Sequence, residues 1–312
     1  MRILFLGTPE YAVPSLKRLA AEHQVVGVVA QPDQPVGRRG ASVPPPVAEF
    51  ARAGGLALFQ PERPGRKEFI AGLAGLGAEL AVVVAYGHIL RPALIALAPR
   101  GMLNAHGSLL PRYRGAAPIQ RAILAGEIET GVTVQQVVFA VDAGPVVLQE
   151  KLGIGPEETA GELSARMAEL SAECLSRAVR LIESGPAAFT PQDESAATFA
   201  PKLTKEEGRA DWSQPADYLA RAARAYNPWP TLYTKLPGGR SLKMLRARAE
   251  KGSGAFSEAE PGTVLLAAGE DFVVATGAGA LRLLEIQAEG RRPMAAADFL
   301  RGARLMGGAR LG

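Results

Sequence analysis

The feature that most constrains the fold of this chain is the unbroken apolar run LAVVVA at residues 80–85. A run without alternating polar residues is typical of a central strand of a parallel sheet covered on both faces. It predicts an α/β architecture with a mostly parallel sheet. Ligands of open α/β sheets bind at the carboxyl ends of strands, so we expect Ala85, Tyr86, Gly87 and His88 to form one wall of a ligand site.

The segments before this run alternate between strand-like and helix-like patterns. Strands are predicted at 2–6, 24–30 and 56–59, helices at 11–19, 44–53 and 67–76, and an aperiodic loop at 31–40. A dinucleotide-binding fold is the alternative reading. It is disfavoured because Gly7 is followed by ThrProGluTyr and not by the further glycines of that fingerprint.

Residues 101–147 bring three polar side chains towards one edge of the sheet. A short apolar strand ends at Asn104 and His106, which share a face because they are two residues apart. A helix at 116–124 and a β-branched strand at 130–138 follow. We expect that second strand to run on to Asp142 and to return the chain to the strand end that carries His106.

An amide, an imidazole and a carboxylate can together catalyse acyl transfer to an amine. Asn104 can donate a hydrogen bond to a developing oxyanion, His106 can move protons, and Asp142 can hold the imidazole or order a water. The residues alone leave a structural alternative open, in which His106 is a hydrogen-bonded strand-end residue and Asp142 a turn residue. His88 lacks such partners in sequence, so we interpret it as part of the wall.

Composition sets further limits. A chain of 312 residues predicts two domains, and 47% hydrophobic with 21% charged residues is typical of a soluble globular protein. No apolar run approaches the roughly 18 residues that span a membrane, so we expect a cytoplasmic protein with no membrane contact. Cys174 is the single cysteine, so an internal disulfide is excluded. The chain has only three histidines, and they are far apart in sequence, so no metal site is expected.

The second predicted domain carries the excess positive charge. Residues 205–312 contain 16 Lys and Arg against 12 acidic residues, whereas residues 1–204 contain 19 of each. This asymmetry indicates a polyanionic partner, although an ordinary soluble surface could carry it. Evenly spaced β-like runs between 242 and 285 predict a small barrel after a helix at 215–225. We divide the chain into domains at 1–189 and 209–312, joined by a linker at 190–208.

Several motifs in this order resemble the folate-dependent formyltransferases, in particular their methionyl-tRNA formyltransferase branch. The motifs are NAHGSLLPRYRGAAPIQRAI from 104, GVTVQQVVFAVDAGPVV from 131, LFLGTPEYAVPSL from 4, AQPDQPVGR from 30, VVVAYGHIL from 82 and NPWP from 227. The resemblance runs nearly from end to end. One departure is ValAspAla at 141–143 where that family more often has LeuAspThr, and it leaves the carboxylate in place.

The resemblance implies a Rossmann-like formyltransferase domain followed by an OB-like β-barrel. It implies that Asn104, His106 and Asp142 are the catalytic triad, that Ser108 supports the site, and that 10-formyltetrahydrofolate is the co-substrate without a metal. The activity implied is formylation of the α-amino group of methionine on initiator tRNA, and we expect a monomer. The folate-binding residues expected beside the wall at 85–88 are Ser108, Leu109, Leu110 and Pro111.

The same resemblance implies an RNA surface. The loop at 31–40 looks like the element that enters the acceptor stem of the tRNA, which makes Arg38 and Arg39 candidate contacts. The other candidates are Lys202 and Lys205 in the linker and Arg246 and Arg248 in the barrel, with Arg291, Arg292, Arg301 and Arg304 as further phosphate-facing residues.

Three alternatives remain at this point. A folate-dependent formyltransferase acting on glycinamide ribonucleotide or an amino sugar nucleotide should lack the Arg38 loop and the basic barrel. A non-enzymatic RNA-binding protein would not need the triad, and a folate hydrolase would use water instead of an amine.

The residues Arg112, Tyr113 and Arg114 come shortly after the strand that ends at His106. We expect them to form either a positive patch for an acidic ligand group or a set of solvated side chains.

Overall fold

The computed structural model describes residues 1–36, 41–185, 187–250, 259–303 and 305–312, whose contacts form two compact units. The first unit contains Met1–Pro118, Glu129–Gly153 and Ser164–Ala200. The second contains Ile119–Ile128, Ile154–Leu163 and Pro201–Gly312. Each unit therefore combines segments that are distant in sequence. The domain and linker boundaries drawn above remain a prediction.

The first unit is built on a seven-stranded sheet with the order β5-β2-β1-β6-β7-β8-β9. Its strands, together with the separate pair of β3 and β4, are β1 (Arg2–Gly7), β2 (Gln24–Val29), β3 (Gln34–Val36), β4 (Ala41–Val43), β5 (Leu58–Phe59), β6 (Leu80–Val84), β7 (Met102–His106), β8 (Glu129–Gln136) and β9 (Val146–Gly153). Neighbouring strands are parallel from β5 through β7 and antiparallel from β7 to β9. The predicted α/β class with a mostly parallel sheet is confirmed.

The α-helices described between residues 1 and 185 are α1 (Val13–Glu22), α2 (Pro46–Ala53), α3 (Lys67–Ala74), α4 (Pro92–Ile95), α5 (Pro118–Ala125) and α6 (Ala160–Ser184). None of the helices in the described ranges is both long and apolar enough to cross a membrane. The apolar run that defined the fold forms β6, and all five of its residues are buried. It lies between β1 and β7 in the sheet. Because successive side chains point to opposite faces and all of them are buried, both faces of β6 are covered, which explains why it has no polar residues.

The segment at 31–40 differs from the loop expected there. Gln34–Val36 pairs antiparallel with Ala41–Val43 as a separate two-stranded sheet. Strands this short lack the periodicity that would have revealed them. Arg38 and Arg39 lie outside the described residues.

The route to Asp142 also differs from the expectation. β8 ends at Gln136 and runs antiparallel to β7, with His106 opposite Thr133 and Leu103 opposite Gln136. The chain therefore leaves β8 beside the start of β7, whereas His106 is at the end of β7. A loop at 137–145 then returns Asp142 towards His106. The direction of a strand depends on its long-range pairing, which the local β-branched pattern does not encode.

The second unit contains a six-stranded antiparallel sheet with the order β10-β11-β14-β13-β12 and β15 paired to β14. Its strands and helices are α7 (Ala216–Ala225), β10 (Leu232–Lys235), β11 (Ser241–Glu250), β12 (Val264–Ala268), β13 (Asp271–Ala275), β14 (Ala280–Ala288), β15 (Met294–Ala295) and α8 (Ala296–Gly302). The predicted strands are confirmed. β10 and β12 lie at the two ends of the strand order, and no pairing between their described residues closes the sheet into a barrel.

The start of α6 is fixed by a reciprocal cap. Glu162 accepts hydrogen bonds from the backbone N and the Oγ1 of Thr159, at 2.9 and 2.8 Å, and its own N donates to Thr159 Oγ1 at 3.3 Å. Arg246 Nη2 also donates to the Glu162 carboxylate. The hydrogen bonds from Thr159, together with Arg246, lower the pKa of Glu162 from 4.5 to about 2.

Replacing Glu162 with Gln tests this cap through its pH dependence. A carboxyl whose pKa is lowered on folding stabilises the protein above its unfolded pKa, and this contribution is lost as pH falls towards the folded pKa. We expect Glu162→Gln to reduce the free energy of unfolding at pH 7 by up to about 1 kcal/mol, since the carboxylate is half exposed. The difference from wild type should shrink between pH 4.5 and 2.

Denaturant titrations at stepwise pH measure this difference. Glu169→Gln, in the same helix, is the matched control for the loss of one carboxylate. A Glu162→Gln deficit that stays constant down to pH 2 would contradict the proposed cap.

Candidate functional site

Asp142 lies in the loop that connects β8 to β9, with its backbone in the left-handed region at φ 51°. The loop is closed at its base, because Val137 N donates to Met102 O at 2.7 Å and Gln136 N donates to Pro145 O at 2.9 Å. Non-glycine residues occupy this region at a cost, and Asp tolerates it better than most. The loop therefore has to be held by contacts around it.

Three N–H groups donate to the Asp142 carboxylate. Asn104 Nδ2 and Gln135 Nε2 reach Oδ1 at 3.3 and 3.0 Å, and the backbone N of Gly115 reaches Oδ2 at 2.9 Å. Asn104 and Gln135 are direct cross-strand partners in the β7–β8 pair. Their shared register allows two amides to meet one carboxylate oxygen.

His106 lies beside the other carboxylate oxygen and is only 6% exposed. Its Nε2 is 2.9 Å from the carbonyl oxygen of Tyr113. Since a carbonyl only accepts, Nε2 carries the proton and Nδ1 faces Asp142 Oδ2 at 3.5 Å. A proton accepted at Nδ1 would thus lie against a carboxylate, an arrangement suited to proton transfer. The three side chains predicted to act together are close together in the structure.

Ser108 and Leu110 hold the loop after β7. Ser108 is fully buried and its Oγ donates to Arg112 O at 2.6 Å. Thr133 Oγ1 donates to Ser108 O at 2.6 Å and accepts from Leu110 N at 3.0 Å. The polar groups of these two residues are thus used inside the protein, while Leu109 and Pro111 are half-buried. Folate contact by Ser108, Leu109, Leu110 and Pro111 remains a prediction.

Arg114 corrects one expectation, because it is 4% exposed and does not contribute to a surface patch. Its Nη1 and Nη2 each donate to Glu194 at 2.8 Å, and its Nε and Nη2 donate to Gln192 Oε1 at 3.1 and 2.8 Å. Hydrogen bonding to the Glu194 carboxylate raises the pKa of Arg114 and lowers that of Glu194. No local pattern indicates this pairing, because Gln192 and Glu194 lie 78 and 80 residues after Arg114 in the sequence.

Gln135 and Gln192 were not identified from the sequence. A signal existed for Gln135, because it lies between Val134 and Val137 in the predicted strand at 130–138. In the structure it is 2% exposed. A buried amide in such a strand needs polar partners. For Gln192, in an irregular segment rich in polar residues, no comparable signal exists.

The predicted wall at 85–88 lies where the sheet order reverses, at the carboxyl end of β6. The carbonyl of Tyr86 accepts from Thr8 Oγ1 at 2.9 Å and from Gln31 Nε2 at 3.1 Å, joining the turns after β1, β2 and β6. Ala85 and Gly87 are exposed and have φ of 47° and 82°. His88 is exposed, and its ring centroid is 5.3 Å from that of Tyr86.

Tyr86 itself is buried in the apolar core under this wall. Its hydroxyl has no hydrogen-bond partner among the described residues, and burial raises its pKa to about 12. The side chain of Tyr86 therefore lies in the core beneath the predicted wall, and ligand contact at 85–88 remains a prediction.

The residues predicted to contact RNA lie in several settings. Lys202 and Lys205 are exposed. Arg246 pairs with Glu162 at 2.5 Å and with Glu285 at 3.5 Å, and Arg248 pairs with Glu157 at 2.5 Å. Arg291, Arg292 and Arg301 are exposed as well, whereas Arg304 lies outside the described residues.

Within the described ranges, no group of three His, Cys, Asp or Glu side chains could hold a metal ion. Cys174 is buried, and burial raises the pKa of its thiol to about 11.

Comparison with known families and relatives gives a consistent result over the whole length. The formyl transferase model matches residues 1–179, and the model of the formyl transferase C-terminal domain matches residues 202–304. A methionyl-tRNA formyltransferase of Symbiobacterium thermophilum is 47% identical over 99% of this chain and 95% of its own length. One of Sorangium cellulosum is 45% identical over the full length of both.

Solved structures share the fold at lower identity. HypX from Aquifex aeolicus in complex with tetrahydrofolic acid has a TM-score of 0.65 at 20% identity, and covers 96% of this chain. The matched region is 47% of the length of HypX. An N-formyltransferase from Helicobacter canadensis in complex with folinic acid and dTDP-3-aminofucose has a TM-score of 0.65 at 16% identity, covering 92% and 98%. These likenesses show the fold alone.

Gly144 tests how tightly the Asp142 loop is packed. A Cβ at this position would lie 1.7 Å from the carbonyl oxygen of Gln136, a backbone atom that cannot rotate away. We expect Gly144→Ala to lower the free energy of unfolding by about 1–3 kcal/mol, as overpacking does. The matched control is Gly72→Ala in α3, where the added Cβ meets nothing within 4 Å. That control should be neutral or stabilising by about 0.5–1 kcal/mol. Equal effects of the two substitutions in denaturant unfolding would refute the tight packing of the loop.

Proposed function

The chain belongs to the formyl transferase family, and on that premise we propose that it formylates the α-amino group of methionine on initiator tRNA for translation initiation. The formyl donor is 10-formyltetrahydrofolate. The observation that carries the proposal is the convergence of Asn104 and His106 on the Asp142 carboxylate, within 3.3 and 3.5 Å. Relatives at 44–47% identity over nearly the full chain, all named methionyl-tRNA formyltransferase, support this choice of acceptor.

The folate, when bound, supplies an activated formyl group on nitrogen. The methionyl amine is the nucleophile, which explains why the site needs no Ser or Cys nucleophile of its own. The Asn104 amide has two N–H donors, and one of them is engaged by Asp142. The second can donate to the oxygen that gains negative charge when the amine attacks.

His106 and Asp142 manage the protons in this proposal. The amine must lose a proton on attack, and the departing nitrogen must gain one. His106 has Nδ1 directed at Asp142 while Nε2 is anchored on Tyr113 O. A proton held at Nδ1 is stabilised by the adjacent carboxylate and can be passed on.

The folate wall is proposed at 85–88. The exposed backbone at Ala85 and Gly87, both at positive φ, and the switch point of the sheet order fit a flat heterocycle that hydrogen-bonds to main-chain groups. A Cβ at Gly87 would lie 2.5 Å from Gln31 Nε2 and would displace this amide from its hydrogen bond to Tyr86 O. The φ of 82° also disfavours every residue other than glycine at this position. Tyr86 would support the wall and His88 would border it.

The tRNA surface is proposed to include Arg38, Arg39, Lys202, Lys205, Arg246 and Arg248. The two lysines are exposed and suited to phosphate contacts. Arg246 and Arg248 are now paired with Glu162 and Glu157 on the surface. Since exposed pairs are worth little, a phosphate could replace either carboxylate at small cost.

The finer structural expectations belong to the same proposal. We propose that the antiparallel sheet of the second unit is a partly open OB-like barrel and that residues 190–208 link the two domains. We also propose that the protein acts as a monomer in the cytoplasm, without metal or membrane.

An acceptor competition assay tests the proposed function. The protein is incubated with labelled 10-formyltetrahydrofolate and one of five acceptors: charged initiator tRNA, uncharged tRNA, glycinamide ribonucleotide, an amino sugar nucleotide or water alone. We expect label only on the methionyl amine of the charged tRNA. Label on a small-molecule amine, or release of formate without acceptor, would instead support one of the alternative functions.

Asn104→Ala tests the oxyanion role. Removal of one oxyanion donor typically lowers the rate by about 10²–10³. We expect that loss in kcat with tRNA affinity unchanged, measured by steady-state kinetics and by tRNA binding. Full turnover by the variant would remove Asn104 from the mechanism.

A further inference from the structure

A segment after α6 reaches back to the loop that carries Asp142. Gln192 Nε2 lies 2.8 Å from the carbonyl oxygen of Asp142, 2.7 Å from that of Gly144 and 3.2 Å from Gln135 Oε1. The amide therefore holds the turn on both sides of residue 143. All of these residues belong to the first compact unit.

The orientation of the Gln192 amide is determined by its surroundings. Its oxygen accepts from Nε and Nη2 of Arg114, and its nitrogen faces three oxygen acceptors. A flipped amide would place N–H groups against a guanidinium and an oxygen against three oxygens. Only one orientation satisfies all of these hydrogen bonds.

Arg114 anchors this arrangement from behind. It is 4% exposed, and its guanidinium is held by both carboxylate oxygens of Glu194 at 2.8 Å. Glu194 is two residues beyond Gln192, so one short segment supplies both the amide and the carboxylate. The buried cation fixes Gln192, and Gln192 fixes the turn.

The turn needs such support because of its backbone. Asp142 has φ 51°, a conformation that persists in non-glycine residues only when the surroundings enforce it. Gln192 donates to the carbonyl of this same residue. It also contacts Gln135, whose Nε2 donates to Asp142 Oδ1.

We propose that Gln192, anchored by Arg114 and Glu194, is a positioning residue that sets the placement of the Asp142 carboxylate for formyl transfer. The inference rests on the function proposed above. Gln192 does not touch the reacting atoms, and it acts through the backbone of Asp142 and the amide of Gln135. Its loss should slow the chemical step and leave the binding of both substrates intact.

Gln192→Glu is the sharpest test, because it keeps the size of the side chain and replaces the donor by a second acceptor. The carboxylate can still face Arg114, but it repels the carbonyls of Asp142 and Gly144. We expect a 10- to 100-fold lower single-turnover rate of formyl transfer, in line with the cost of a misplaced catalytic group. The dissociation constants for the folate donor and for charged tRNA should change less than twofold.

A second readout follows the carboxylate itself without any activity measurement. The backbone N of Gly115 donates to Asp142 Oδ2 at 2.9 Å. In NMR spectra of wild type and variant, the Gly115 amide should shift and exchange with solvent faster in Gln192→Glu. The matched control is Gln287→Glu in β14, where Nε2 donates to the carbonyl of Arg291 at 2.9 Å in the second unit. It should leave both the rate and the Gly115 amide unchanged.

Glu194→Gln keeps the test decisive if Gln192→Glu does not fold. Glu194 is exposed on its outer side, and its substitution weakens the anchor of Arg114 without touching the turn. We expect a smaller loss of rate and a Gly115 shift in the same direction.

Three results would overturn the proposal. They are an unchanged rate, an unchanged Gly115 amide, or parallel losses of rate, substrate affinity and unfolding free energy that indicate a merely structural role. If the wild-type protein transfers no formyl group, the proposed function fails. The Gly115 readout then still decides whether Gln192 positions Asp142.

Discussion

The Asp142 carboxylate is the group on which the candidate site depends. It accepts hydrogen bonds from Asn104, Gln135 and the Gly115 backbone, and its remaining side faces His106. These partners come from β7, β8 and the loop after β7, so one side chain joins elements that are distant in sequence. Because the residue sits at positive φ, its position depends on the contacts around it.

The sheet supplies the rigid frame for this arrangement. β6 and β7 are buried strands side by side, and the antiparallel pairing of β8 with β7 places Asn104 opposite Gln135. The switch point of the strand order lies next to this frame, where the carbonyl of Tyr86 ties three turns together. The site takes Asn104 and His106 from a rigid strand and Asp142 from a loop, and such a frame can hold two substrates in a fixed geometry.

Local patterns predicted much of the fold and part of the site. The apolar run of β6 and the alternation of strands and helices gave the α/β class, and residue chemistry with the family resemblance identified Asn104, His106 and Asp142. Three other features depend on tertiary contacts. They are the antiparallel direction of β8, the burial of Arg114 against Glu194 and the pairing of Arg248 with Glu157. No local pattern encodes such contacts, so the sequence predicted Arg114 as a surface residue and gave no indication of Gln192.

We propose that Asn104 acts through the Asp142 carboxylate that it shares with His106, and a double-mutant cycle on Asn104 and Asp142 tests this most directly. Single-turnover formyl-transfer rates would be measured for wild type, Asn104→Ala, Asp142→Asn and the double variant. Residues that act as a unit have non-additive effects. The double variant should therefore be about as slow as the slower single variant. If the two rate losses multiply instead, Asn104 and Asp142 act independently and the account is contradicted.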